Sequence, residues 1–318
     1  MISILGLSKH FGKKIAVDNV TFDVNEGEIM GFLGPNGAGK STTLNILTGY
    51  LSATEGSAKI DGIDILDDPI AAKRRIGFLP EHPPLYLDMT VKEYLDFVYD
   101  LKECKLPKKQ HIKEICEVVK VVDVYNRMIK NLSKGYRQRV GIAQALIGNP
   151  KVLIFDEPTV GLDPKQIIEI RNLIKHLGKD HTIILSTHIL PEVQAVCDRI
   201  VVINKGKIVA NEKTEDIINA VDGTRRLVAK IVGPEDLVLK LIRETPGVKY
   251  AEVLGKRDTD SISYLIEGEE RVDVRKPLFY AMSKNSYPII GLEGDQLSLE
   301  DIFIRLVEPQ KIEKRKKG

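Results

Sequence analysis

Eight residues near the N-terminus, GPNGAGKS at 34–41, carry the strongest chemical signal in the sequence. They fit the pattern GxxxxGK[ST]. Gly34, Gly37 and Gly39 let successive backbone N–H groups turn inward onto an anion with no Cβ in the way. Pro35, Asn36 and Ala38 complete the loop, and Thr42 follows it. Lys40 supplies an ammonium for the β- and γ-phosphates of a nucleotide, and the Ser41 hydroxyl reaches Mg²⁺. Such a loop must leave a strand and open a helix, whose N-terminus adds partial positive charge. The flanking "EIMGFLG" and "STTLNILTGY" have those two patterns.

A phosphate-bound Mg²⁺ needs further oxygen ligands. "VLIFDEP" at 152–158 offers Asp156 at the end of an apolar strand and Glu157 directly after it. Adjacent residues at a strand end can point apart. Asp156 can then serve the ion's shell while Glu157 polarises an attacking water. By themselves the two acids read as a helix cap; beside a phosphate cradle they read as catalysis. His188 closes the strand "TIILSTH", which should lie beside 152–156 with its carboxyl end at the ligand edge of the sheet. That position suits a contact to a γ-phosphate.

Positioning these groups requires a definite order of elements. Residues 1–33 read as three short strands, "ISILGLS", "IAVDNVTFDV" and "EIMGFLG". After the strand "RRIGFLP" the texture changes to a helical insertion over 82–148. Val91, Tyr94, Leu95, Val98 and Leu101 recur at helical spacing, and Thr90 with Glu93 forms a capping box. "KKQHIKEICEVVKVV" is a second helix. A third begins in "NLSKGYRQRV" at 131–140, a stretch without aspartate, glutamate, histidine or cysteine. Strand and helix then alternate again, with Asp163-Pro164 as N-cap and first turn. Such alternation predicts an α/β domain over 1–220 with a mainly parallel sheet. From 224 to 308 the pattern restarts as β-α-β-β-α-β-α, ending in "LEDIFIRLVE", which predicts a small ferredoxin-like α+β domain. Pro277 is tolerated in its second helix if that helix starts near Asp273. Residues 309–318 form a basic tail.

The whole chain bounds these readings. A net charge of +2 over 318 residues gives no bulk attraction for nucleic acid. Three cysteines without a CxxC pair suit a reducing cytosol rather than a disulfide framework. The apolar N-terminus has no basic start, long core or cleavage site, so no signal peptide is expected. Apolar runs such as "VLIF" and "IVVI" are strand-sized, far short of the roughly 18 residues of a membrane span.

Over residues 1–220 the chain resembles the ATP-binding subunits of ABC transporters, with motifs in the expected order. "GPNGAGKST" is similar to their Walker A motif, "VLIFDEP" to Walker B, "GLD" at 161–163 to the D-loop, and His188 to the switch histidine. "LSKGYRQ" at 132–138 resembles the signature LSGGQ: Ser133 and Gly135 remain, while Lys134 and Tyr136 replace glycine and glutamine. Such variants, and the trailing "LEDIFIRL" domain, are similar to the drug-resistance and gliding-motility branch of the exporters. The resemblance implies ATP with Mg²⁺ as cofactor, and a homodimer closing head to tail around two ATP molecules. Ser133, Gly135 and Tyr136 would then face the γ-phosphate held by the other copy, and Asp163 would help position that opposite site. It further implies Phe11 stacked on adenine with Val17 supporting it. Glu81, in "GFLPEH", stands where the family commonly has a glutamine contacting Mg²⁺ and the attacking water. A carboxylate there binds the ion more strongly but repels phosphate oxygens. The expected partner is an integral membrane permease on a separate chain, docked on the insertion near "HPPLYLDMTVKEYL". The expected location is the cytoplasm, peripheral on the inner face of the cell membrane. A soluble ABC-type ATPase acting on a non-transport partner is the alternative.

Overall fold

The most continuous apolar runs sit deepest. Ile29–Leu33 (β3), Val152–Asp156 (β7) and Thr182–Thr187 (β8) are buried at every residue, as strands covered on both faces must be. They lie at the centre of a six-stranded sheet completed by Ile76–Leu79 (β6), Arg199–Asn204 (β9) and Lys207–Lys213 (β10). The strand order is β10-β9-β3-β8-β7-β6. All run parallel except β10, which returns antiparallel beside β9. This computed structural model describes residues 1–216, 226–257, 261–269 and 272–295. The chain divides into two units, Met1–Thr214 and Glu215–Gly318.

A second, antiparallel sheet belongs to the same unit. Its strands are Ile2–Phe11 (β1), Lys14–Val24 (β2), Glu55–Ile60 (β4) and Ile63–Asp64 (β5), in the order β2-β1-β4-β5. Both sheets feed one core with helix Lys40–Leu47 (α1): Ile4, Leu7, Phe22, Phe32, Leu44, Leu47 and Ile154 are all within it. Pro69–Arg74 (α2) follows β5.

The insertion folds as Val91–Leu101 (α3), Lys108–Val118 (α4) and Lys134–Leu146 (α5). Thr90 and Glu93 make the reciprocal capping box expected of them. Helix α5 lies close against β6. A methyl group at Gly77 would strike the Ala145 carbonyl, and one at Gly141 would press on Leu79 and Pro83. Gln144 Nε2 donates to the Phe78 carbonyl at 2.6 Å. The Lys102 ammonium donates to the Gln144, Ala145 and Ile147 carbonyls, filling orphan acceptors at the C-terminal end of α5. Pro164–Leu177 (α6) and Leu190–Val196 (α7) follow β7 and β8.

The second unit has strands Arg226–Ile231 (β11), Val248–Arg257 (β12), Ile262–Gly268 (β13) and Ile289–Asp295 (β14), with helices Glu235–Glu244 (α8) and Arg275–Lys284 (α9). The order β12-β13-β11-β14 with every pair antiparallel is that of a ferredoxin-like sheet. Pro277 falls in the first turn of α9, and Asp273 accepts from the Arg275 amide at 3.1 Å. The fold class is therefore the expected one, α/β followed by a small α+β unit. The helix read at 299–308, the 221–224 boundary and the basic tail lie outside the described residues.

Candidate functional site

The loop between β3 and α1 is held from behind by backbone. Gly39, at φ +115°, is the N-cap of α1, and a Cβ there would lie 2.7 Å from the Ala16 carbonyl. Gly34 packs so closely on the Ile203 carbonyl that a side chain has no room. The Gly206 amide donates to the Ala38 carbonyl, and the Asp18 amide donates to the Gly206 carbonyl, both at under 3 Å. The glycines thus do two jobs. Some give the loop its turn; others let the β9–β10 hairpin clamp it.

In front of the loop opens a cavity of about 590 Å³, within the range of small-molecule sites. Asn36, Gly37, Gly39, Lys40, Ser41 and Thr42 form its floor. Phe11, Glu81, Glu157 and His188, all singled out from the sequence, also line it. Phe11 is half exposed, its ring free on the cavity side, with the Lys9 ammonium 5.3 Å from its centroid.

At the base, three charged or polar side chains converge. Lys40 is 6% exposed; its ammonium donates to the Gly34 carbonyl at 2.7 Å and lies 3.6 Å from Glu157 Oε1. The same carboxylate oxygen lies 2.9 Å from His188 Nδ1. Glu157 has φ +50°, an uncommon state for a residue with a Cβ, which separates its direction from that of Asp156. Parallel register places Asp156 beside Ser186, and the Glu157 amide donates to the Ser186 carbonyl. Parallel β7 and β8 thus bring Glu157 and His188 together from residues 31 apart, as their expected adjacency required.

Whether Mg²⁺ fits can be judged from the polar atoms. Asp156 Oδ1 and Glu157 Oε2 are buried without a hydrogen-bond partner. An unpaired buried carboxylate oxygen is costly, and a hard divalent cation is the kind of partner that relieves it. Among the described residues no cluster of three His, Cys, Asp or Glu forms a self-sufficient metal site. That agrees with an ion held by one or two protein oxygens together with substrate phosphates.

The remaining expected residues lie elsewhere. Val17 is fully buried in the core shared by the two sheets and does not face the cavity. Strand alternation turns its side chain inward, and the apolar wall beside Phe11 is made by Ile15 and Ala16 instead. Gly34, Pro35 and Ala38 do not line the cavity, and neither does the buried Asp156. Ser133 caps α5, accepting from the Tyr136 amide, and Tyr136 donates its hydroxyl to Asp123 at 2.6 Å. Gly135 is packed against Gln166. None of these three lines the cavity of its own chain. Asp163 caps α6 through the Gln166 amide. The sequence reading passed over Lys14, Ile15, Ala16, Val160, Lys205 and Gly206, which also line the cavity. Lys205 and Gly206, at φ +49° and +81°, form the β9–β10 turn; the "NKG" turn was legible, its approach to the loop was not.

Comparison with known proteins decides the family. Residues 17–160 match the model of the ABC transporter family. Over 209 residues the chain is 42% identical to the ABC transporter ATP-binding protein YxlF of Bacillus subtilis, covering 65% of this chain and 69% of that one. This chain belongs to the ATP-binding subunits of ABC transporters, in the drug-resistance branch. Linearmycin resistance ATP-binding protein LnrL of Bacillus subtilis is 33% identical over 310 residues, 96% of this chain and 98% of that one. The dimeric post-hydrolysis state of the ATP-binding cassette MJ0796, bound to ADP and Pi, superposes with a TM-score of 0.62. It is 29% identical and covers 67% of this chain and 99% of that one. The first unit is thus an ABC cassette, and the chain is an ATPase.

Proposed function

We propose that this ABC subunit is the motor of an exporter: ATP closes two copies head to tail, and hydrolysis releases them. The observation that carries the reading is the division of the cassette's groups. Lys40, Glu157 and His188 converge on one cavity, while Ser133 and Gly135 sit on a helix start that lines no part of it. A helix N-terminus whose capping hydroxyl keeps its own proton to donate is suited to a γ-phosphate presented by a second copy. A twofold pair would complete both sites at once.

The residues' roles follow from their distances. A γ-phosphate seated at the loop takes the Lys40 ammonium as its partner, drawing it from Glu157. Glu157, still held by His188, orients a water and accepts its proton. His188 bridges Glu157 and the γ-phosphate when its ring carries both protons. Ser41 and Asp156 would hold Mg²⁺, with Glu81 near it at the cavity wall. Bound there, the ion neutralises charge on the β- and γ-phosphates. Phe11 offers a face for adenine. Asp163, fixed as the cap of α6, would meet the opposite site.

Among the described residues no helix is long and apolar enough to cross a membrane. The pore is therefore assigned to a permease on a separate chain, with this subunit peripheral at the cytoplasmic face. The exposed Tyr86 and Leu87, next to the loop carrying Glu81, are the proposed docking surface on the insertion. The name of the resistance relative supports export. Glu157→Gln tests the core of this reading: the variant should bind ATP, lose nearly all turnover, and accumulate as a dimer on gel filtration. Wild-type turnover would assign the base elsewhere.

A further inference from the structure

Behind the Glu157–His188 pair lies a second carboxylate that the mechanism above does not use. Glu192, in the first turn of α7, is 1% exposed. Its Oε1 accepts from Thr159 Oγ1 at 2.5 Å, and its Oε2 accepts from Thr187 Oγ1 at 3.0 Å. The Arg171 guanidinium of α6 stands 3.8 Å from Oε1. Thr187 in turn accepts from the Ile189 amide at 3.1 Å.

The chain positions of these partners matter. Thr159 lies two residues after Glu157, and Thr187 immediately precedes His188. One buried anion therefore bridges the two segments whose side chains must meet at 2.9 Å. Buried carboxylates are costly and persist where they are fully partnered. Here both oxygens are satisfied by hydroxyls from opposite sides of the gap. An apolar side chain would pack the same space without joining those segments.

We infer that Glu192 is a positioning residue for ATP hydrolysis: it locks the segment after Glu157 to the segment before His188, and so sets the water-orienting pair. It touches no substrate, since neither Glu192 nor its two threonine partners line the cavity. A glutamine at this position can accept from only one hydroxyl as the carboxylate does, and its amide must donate to the other. One threonine hydroxyl must then reverse, and Arg171 loses its counter-charge. Small misplacements of catalytic groups act on turnover more than on binding.

The test compares Glu192→Gln with the pair Thr187→Val and Thr187→Ser in the full chain. Glu192→Gln should lower kcat by roughly tenfold to a hundredfold, with MgATP affinity within about twofold of wild type. Thr187→Val should lose part of the same factor, and Thr187→Ser should retain it. Combining Glu192→Gln with Thr187→Val should cost no more than Glu192→Gln alone, because the groups act as one unit. Unchanged kcat in a folded Glu192→Gln variant, or losses that multiply, would overturn the proposal. If Glu192→Gln does not fold, equal turnover in Thr187→Val and Thr187→Ser overturns it instead. The inference rests on the roles given to Glu157 and His188. Wild-type turnover in Glu157→Gln removes that assignment; a dead Glu157→Gln beside a fully active Glu192→Gln removes only this one.

Discussion

The two units have similar apolar cores but differ in what else they bury. The cassette encloses Lys40, Arg139, Asp156, Glu157 and Glu192. Among the described residues of the second unit, the buried polar side chains are Thr245, Ser261 and Ser263, and no charged one is buried. Burying a charge costs several kcal/mol unless it is well partnered, so a fold accumulates such groups where they act. The second unit instead packs Leu227, Ile231 and Tyr264 of its sheet against Val238, Ile242, Leu278 and Met282 of its two helices. The topologies agree with this difference. A parallel sheet collects strand ends at one edge and with them Asp156, Glu157 and His188. The antiparallel order β12-β13-β11-β14 alternates strand ends and creates no such edge.

If charge in the cassette works while apolar packing in the second unit only holds, substitutions in the two should have opposite signatures. The largest effect belongs to Lys40→Ala, which should cut ATP turnover by about 100-fold or more, the scale for loss of one preorganised donor. Steady-state phosphate release reads it, and retention of activity would break the comparison at its base. Leu278→Ala should destabilise its own unit by about 2–5 kcal/mol, while turnover stays within about twofold of wild type. Denaturant unfolding and phosphate release on one preparation separate the two outcomes. Phe11→Ala should raise the KM for ATP at nearly constant kcat, by the loss of roughly 1–3 kcal/mol of base stacking. A drop confined to kcat would mean the ring does something other than hold adenine.

A further effect concerns pH. Burial pulls the Lys102 ammonium down to about 8 from the usual 10.5, with Cys104 opposing. Between those values the unfolded chain holds a proton at this site that the folded chain has released. Through this group, stability therefore rises with pH from about 8 to 10.5. Lys102→Met should remove that increment, seen as the difference between the two proteins' unfolding free energies across this window. An identical pH slope would show that the three carbonyls at the end of α5 already stabilise the charged form as well as water does.

Much of this was legible because one motif imposes its own surroundings. GPNGAGKS demands a strand, a helix and a carboxylate nearby, and the Thr90 and Glu93 cap was visible from spacing alone. What escaped the reading was built by other means. β4 and β5 carry few apolar residues, and Glu55–Ile60 buries only Ala58 and Ile60, so they had no pattern to announce them. β4 pairs on the free edge of β1, and β5 pairs on β4 in turn. Val17 was assigned by family resemblance as the support of Phe11, whereas strand alternation turns it into the core. Glu192 reads as an ordinary first-turn acid of a helix, and only the parallel pairing of β7 with β8 reveals what it touches.

The seam between α5 and β6 has a mechanical consequence. Gly77 meets the Ala145 backbone, Gly141 meets the Leu79 and Pro83 side chains, and Gln144 adds a hydrogen bond across the joint. Ser133 caps the N-terminus of the same 13-residue helix, about 12 Å from Gly141. On the proposed reading, a displacement of the loop at Pro83 would be passed to Ser133 through this helix. On that reading, docking at the insertion's surface and closure around a phosphate would be two ends of one stroke.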